Sequence, residues 1–246
     1  MVLVAIAASS RLTYPKDTTP SKENPKEKMK DWEAFRTFLG NRLSELLFRD
    51  DEPDVWRTLE FSFKGERRDL SEFVYKYYRC SLVHEAKLPA GVDFRDGPAL
   101  GKGEQPGFSL QFGDTMILDT GWLDVFREAV VHARCNAAEF GIEHFELRPL
   151  PDVDEDAIHA ALIAKYNTTP GRIRIFKGAT KALSPEAIAA SSDEDLADNF
   201  QVHIRPRSGY ITALRGEFAD EAGRLLPPGV DFLRELSAKY QLVKVA

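Results

Sequence analysis

The residues best placed to do chemistry are an arginine and a histidine five positions apart. In YRCSLVHEAK, residues 78–87, Arg79 precedes His84, with tyrosines and aliphatics around them. Imidazoles titrate near neutrality as a class, so one can take the proton from a ribose 2′-hydroxyl. A guanidinium can hold the equatorial oxygens of the neighbouring phosphate as charge develops on them. Together they could drive the 2′-oxygen onto the adjacent phosphorus and leave a 2′,3′-cyclic phosphate. DNA lacks that nucleophile and would not be cut.

The same spacing occurs twice, at Arg79…His84 and at Arg127…His132, so the elements that carry the pairs must decide between them. Five residues of α-helix turn about 500°, which leaves the partners roughly 140° apart with about 7.5 Å of rise, within reach of two long side chains. A helix expected over 122–140 has one clean apolar stripe: Trp122, Val125, Phe126, Ala129, Val130, Ala133 and Ala137. Its other side is charged, and Arg127 and His132 flank that side, so their pair reads as decoration of a solvated face.

The helix expected over 70–87 is different. Asp69 is placed to cap its start and Pro89 to stop it. Leu70, Phe73, Val74, Tyr77, Tyr78 and Leu82 form a core stripe, with His84 near its edge, but Tyr75 and Val83 lie on the other side and bracket Arg79. A helix apolar on two sides is buried on both or lies at an interface. An arginine among Tyr75, Tyr78 and Val83 needs a partner, and Glu72 is available. Glu85 reads as an exposed helix acid that could orient His84 or pair with Lys87.

The stretch YKYYRCSLVHEAK resembles the signature helix of the HEPN superfamily. Those helical bundles carry an R-x4–6-H motif late in four or five helices, and Arg79 and His84 match it at the shortest spacing. The opening VLVAIAASSRLTYP, followed by an aromatic helix, is similar to bacterial proteins of that type. The resemblance covers at most residues 1–145. It implies a mainly α protein with an HEPN-like up-and-down bundle, and metal-independent RNA cleavage in a groove between two protomers. Arg79 and His84 would be catalytic, with Glu72, Tyr78 and Glu85 supporting. The sequence departs from the family at Cys80, where many active members carry a polar residue. It also has Ala86 where the family's nucleotidyl-transfer targets have tyrosine. The alternative is a non-catalytic dimerising or nucleotide- or RNA-binding scaffold, in which Arg79 pairs with Glu72 and His84 is a satisfied core histidine.

The remaining elements are expected as follows. Residues 13–30, rich in proline and charge, read as a flexible linker, and 31–47 as an amphipathic helix. Residues 107–120 read as a hairpin inserted in the bundle. A boundary near Pro149–Pro151 separates an HEPN-like domain, 1–148, from a small α+β module, 149–246. In that module a capping box of Asp152 and Glu155 opens a helix, and RIRIF (172–176) reads as a strand. Ser184-Pro185 opens a short helix, 200–214 looks like a second hairpin, and a last helix runs near 230–240. GPALGK falls short of a phosphate-binding loop by one residue between its glycines. RPRSG (205–209) reads as a turn with exposed arginines.

The formal charge is −6, spread over both halves of the chain, which gives no global electrostatic footprint for nucleic acid. Cys80 and Cys135 are expected as buried free thiols in helices, and no zinc spacing is present. His159 and His203 have no partner at recognisable spacing. The apolar run Val2–Ala8 is too short for a leader and nothing basic precedes it. The expected protein is cytoplasmic, off the membrane, free of cofactor and metal, and a homodimer through the 70–87 helix. RNA is its expected ligand and DNA is not.

Overall fold

A computed structural model describes residues 1–48, 59–96, 109–111, 113–204 and 208–246. The expected phosphate-loop look-alike and Arg205–Arg207 lie outside the described residues, as do residues 52–58. The chain is mainly helical, at about 56%. It divides into two compact units, Met1–Ile142 and Glu143–Ala246. Among the described residues no helix is long and apolar enough to cross a membrane.

In the first unit, α1 (Val2–Thr13) and α2 (Asp31–Phe48) pack on each other and on α5 (Gly121–Val131). A hairpin of β1 (Glu60–Phe63) and β2 (Glu66–Asp69) turns through Lys64 and Gly65, both with positive φ, the backbone a two-residue hairpin loop needs. It leads without a break into α3 (Leu70–Phe73), a π-helical segment (Val74–Cys80) and α4 (Ser81–His84). Next come β3 (Val92–Arg95), β4 (Leu110–Gln111) and β5 (Met116–Asp119) in the order β3-β5-β4, with β3 parallel and β4 antiparallel to β5. The hairpin expected over 107–120 is thus the β4–β5 pair, with β3 joined to its other edge.

The expected 122–140 helix is interrupted. It ends at Val131, Ala133 is extended, and a 3₁₀ turn (Arg134–Asn136) precedes α6 (Ala137–Phe140). The Asn136 amide donates to the Val130 carbonyl at 2.8 Å and to the Ser9 hydroxyl at 2.9 Å, drawing the chain out of the helix. Both cysteines are free and neither is buried as expected: Cys80 is half-buried, and Cys135 sits on this turn and is exposed.

Residues 13–30 are also not the flexible linker their composition suggests. The carboxylate of Glu33, itself buried, accepts from the Ser21 hydroxyl at 3.1 Å and the Lys22 amide at 2.5 Å. Pro20 bridges Lys28, and Met29 is in the core. One buried acid and one apolar anchor fix a loop that looked wholly solvated. The core of the unit gathers Phe35, Phe38, Phe63, Phe73, Trp122 and Phe126, each worth roughly 1.5–3 kcal/mol when fully buried.

The second unit begins earlier than position 149, because β6 (Phe145–Pro149) pairs antiparallel with the C-terminal β7 (Tyr240–Lys244). Helix α7 (Glu155–Tyr166) is capped by Asp154, which accepts from the Asp156 and Ala157 amides, and not by Asp152. The expected strand RIRIF lies in α8 (Pro170–Leu183), capped by Thr169. Ile173, Phe176, Ala179 and Thr180 are buried at helical spacing, and the burial of Ile175 as well makes the short alternation of Ile173 and Ile175 look like a strand. The expected second hairpin is α10 (Asp193–Ile204) and α11 (Ser208–Leu214), after α9 (Pro185–Ala190). Leu196, Phe200 and Ile204 recur every four residues on the buried side of α10. Helix α12 (Pro227–Ser237) completes the core with Phe232 and Leu233. The Tyr240 hydroxyl donates to Glu155 at 2.7 Å and sits 2.9 Å from His159 Nε2, while Lys177 donates to Glu155 at 2.6 Å.

Candidate functional site

The site is built on residues 69–84. The Asp69 carboxylate accepts from the Glu72 amide at 2.8 Å and from Arg36 Nε at 2.7 Å, which caps the helix and ties it to α2. Leu70, Phe73, Val74 and Tyr78 are buried, and the Phe73 ring meets Phe61 and Phe63 edge-on at 5.2 and 4.9 Å. The segment Val74–Cys80, which contains Arg79, is π-helical. Such segments span five residues per hydrogen bond and occur frequently at functional sites. Their looser winding makes the following residues lag behind α-helical phase. His84 is accordingly exposed instead of sitting at the edge of the core stripe, and Leu82, expected in the core, is exposed as well. The helix stops at His84, three residues before its expected end at 87, and Ala86 follows with positive φ.

Arg79 is half-buried. Its guanidinium lies over the Tyr75 ring, 5.5 Å from the centroid, and Nη1 is 4.0 Å from Cys80 Sγ. Nη1 is also 3.4 Å from His84 Nε2. A guanidinium only donates, so in this contact Nε2 is the accepting nitrogen. Arg79 Nε is buried with no acceptor among the described residues. No carboxylate of the described residues pairs with Arg79.

The second Arg–His pair is neutralised. Arg127 lies 3.4 Å from both Asp124 and Glu128, and His132 Nε2 lies 3.0 Å from Glu128. The two pairs share a spacing and differ in whether an acid is already present.

The three supporting residues do not gather around Arg79. Glu72 pairs with Arg68 at the end of β2, so its carboxylate is already taken. Tyr78 is turned into the core, where its hydroxyl donates to the Asp93 carbonyl at 2.7 Å. Burial pushes that phenol well above its ordinary range. Glu85 is the exposed residue that ends α4 and pairs with no described residue. The residue that does touch Arg79 is Tyr75, which the sequence offered only as a flank. Its signal was the four-residue step to Arg79, the spacing at which helical side chains meet. Burial, then the neighbouring Cys80, raises the Tyr75 hydroxyl above its ordinary value, so it stays neutral.

Among the described residues this mainly helical unit thus sets the Arg79 guanidinium against His84 with no carboxylate beside it. This unit is also the part of the chain with a relative: the family model Rv1289 matches residues 1–149, more than half of the sequence, and the chain belongs to the Rv1289 family. Neither curated proteins nor solved structures gave a match.

Proposed function

We propose that this protein is a metal-independent endoribonuclease of HEPN type, acting as a homodimer in which two 70–84 helices border the RNA groove. The observation that carries this reading is the Arg79–His84 contact with no acid beside it. In the free protein Arg79 donates to His84 Nε2 at 3.4 Å, a long and weak hydrogen bond. A phosphate oxygen is a stronger, charge-assisted acceptor and draws the guanidinium to itself. That frees the Nε2 lone pair to take the 2′-hydroxyl proton. The 2′-oxygen then bonds to phosphorus, the P–O5′ bond breaks, and the departing 5′-oxygen takes up a proton. Arg79 holds the charge that builds on the equatorial oxygens. The products are a 2′,3′-cyclic phosphate and a 5′-hydroxyl.

The dimer reading is supported by Leu82 and Val83, 43% and 47% exposed immediately before His84. Apolar side chains this open on a helix end favour a partner surface. They favour equally the second reading, a scaffold that dimerises there and binds RNA without cutting it. Analysis of product ends separates the two. The nuclease yields cyclic-phosphate ends and spares an RNA with 2′-deoxy substitution at the cleaved position. A scaffold retains intact RNA. Leu82→Asp with Val83→Asp, checked by analytical ultracentrifugation, should give monomers; a double variant that stays dimeric contradicts the interface.

A further inference from the structure

We infer that Tyr75 is a positioning residue of this site, the platform that holds the Arg79 guanidinium against His84; the inference rests on the reading of the Arg79–His84 pair as the phosphate-engaging site. Arg79 lacks the acid that would ordinarily fix a half-buried guanidinium. What it has instead is an aromatic face, with the guanidinium carbon 5.5 Å from the Tyr75 centroid and within the range of a cation–π contact. The platform is itself braced: the Tyr75 ring packs at 5.2 Å against Phe35, which is fully buried in the core. A ring fixes the plane of the guanidinium without neutralising its charge. A carboxylate in the same place would occupy the donors that phosphate must take. The stack therefore orders Arg79 and leaves Nη1 free to move from His84 to a substrate oxygen. The ring carries this role and the hydroxyl does not.

Tyr75→Phe keeps the ring and should behave as wild type. Tyr75→Leu removes it and should lower single-turnover cleavage about ten-fold, as expected for loss of a partly desolvated cation–π contact, with little change in RNA affinity. Tyr75→Met, also without a ring, serves where the leucine variant does not fold. The second readout does not depend on cleavage. In protein labelled with ¹⁵N-arginine, the Arg79 Nε–H signal should be ordered and slow to exchange in wild type and Tyr75→Phe. In Tyr75→Leu or Tyr75→Met it should become mobile.

Cleavage by wild type that the ringless variants match, or an Arg79 signal unchanged in them, overturns the inference and leaves the nuclease reading standing. A Tyr75→Phe variant as impaired as Tyr75→Leu also overturns it, by assigning the role to the hydroxyl. Where wild type does not cut, the nuclease reading fails, and the Arg79 signal alone decides whether Tyr75 orders the guanidinium.

Discussion

Arg79 carries its charge beside the His84 imidazole, the Cys80 sulfur and an aromatic ring, and no carboxylate of the described residues pairs with it. Glu72, the acid the sequence offered as a partner, is engaged by Arg68. Glu72→Gln should therefore leave cleavage within about two-fold of wild type. Its cost should fall on stability, about 1 kcal/mol for a part-buried ion pair between β2 and α3, read as a small drop in thermal midpoint. A large loss of cleavage in that variant would mean that the acid serves Arg79 after all. At this scale the sequence singled out Arg79 and His84 over Arg127 and His132, because apolar flanks on two sides of a helix are visible in a string of letters. The occupants of the other places were not visible. Glu72 was offered as the acid on the same side of an unbroken α-helix, and the phase changes inside the π-helical segment that leads to Arg79. Tyr75 needed the position of Phe35 behind it, a contact across 40 residues of chain that no local pattern records.

The element that sets the site is the helix from Leu70 to His84, and its start is fixed by Asp69. Asp69→Ala removes both the cap and the ion pair with Arg36. It should destabilise the first unit by about 1–2 kcal/mol, measured by chemical denaturation, while Asp69→Asn should retain much of the cap. Loss of less than a few tenths of a kcal/mol in the alanine variant would show that the start of the helix is held elsewhere. In the second unit a Cβ on Gly229 would come within 2.2 Å of the Phe218 carbonyl oxygen, a backbone atom that cannot step aside. Gly229→Ala should cost about 1–3 kcal/mol as overpacking; an unchanged midpoint would contradict the close approach. Long amphipathic helices and caps with a side-chain donor or acceptor were legible in the sequence, as with the Asp31–Phe48 helix, Asp69 and Ser184. RIRIF and the 200–214 stretch were not. A short window fits a strand and a helix equally well, and the helical readings need the buried positions Ala179 and Leu196 that lie outside the two stretches.

Each of the two units has its own buried aromatic cluster, and each has its own vulnerability. In the second, Glu155, His159, Lys177 and Tyr240 join two helices to the C-terminal strand. Burial, then the charge of Lys177, holds His159 below its ordinary value of 6.5. Burial pushes Glu155 upward, but hydrogen bonds from Lys177 and Tyr240 outweigh it and hold the carboxyl below 4.5. Both groups bind protons less readily folded than unfolded. Their contribution to stability is complete above pH 6.5 and is lost as the pH falls, first through His159 and then through Glu155. Thermal melts of the full chain should move down between about pH 7.5 and pH 5, less so in His159→Gln, and an identical slope in that variant would contradict the role of the histidine. The central claim is tested most directly by incubating a mixed RNA pool with the folded protein in EDTA, wild type beside Arg79→Ala, His84→Ala and His132→Ala. The proposed site predicts cutting by wild type and His132→Ala and none by the other two. Absence of cutting by every variant, or cutting that survives loss of His84, would contradict it.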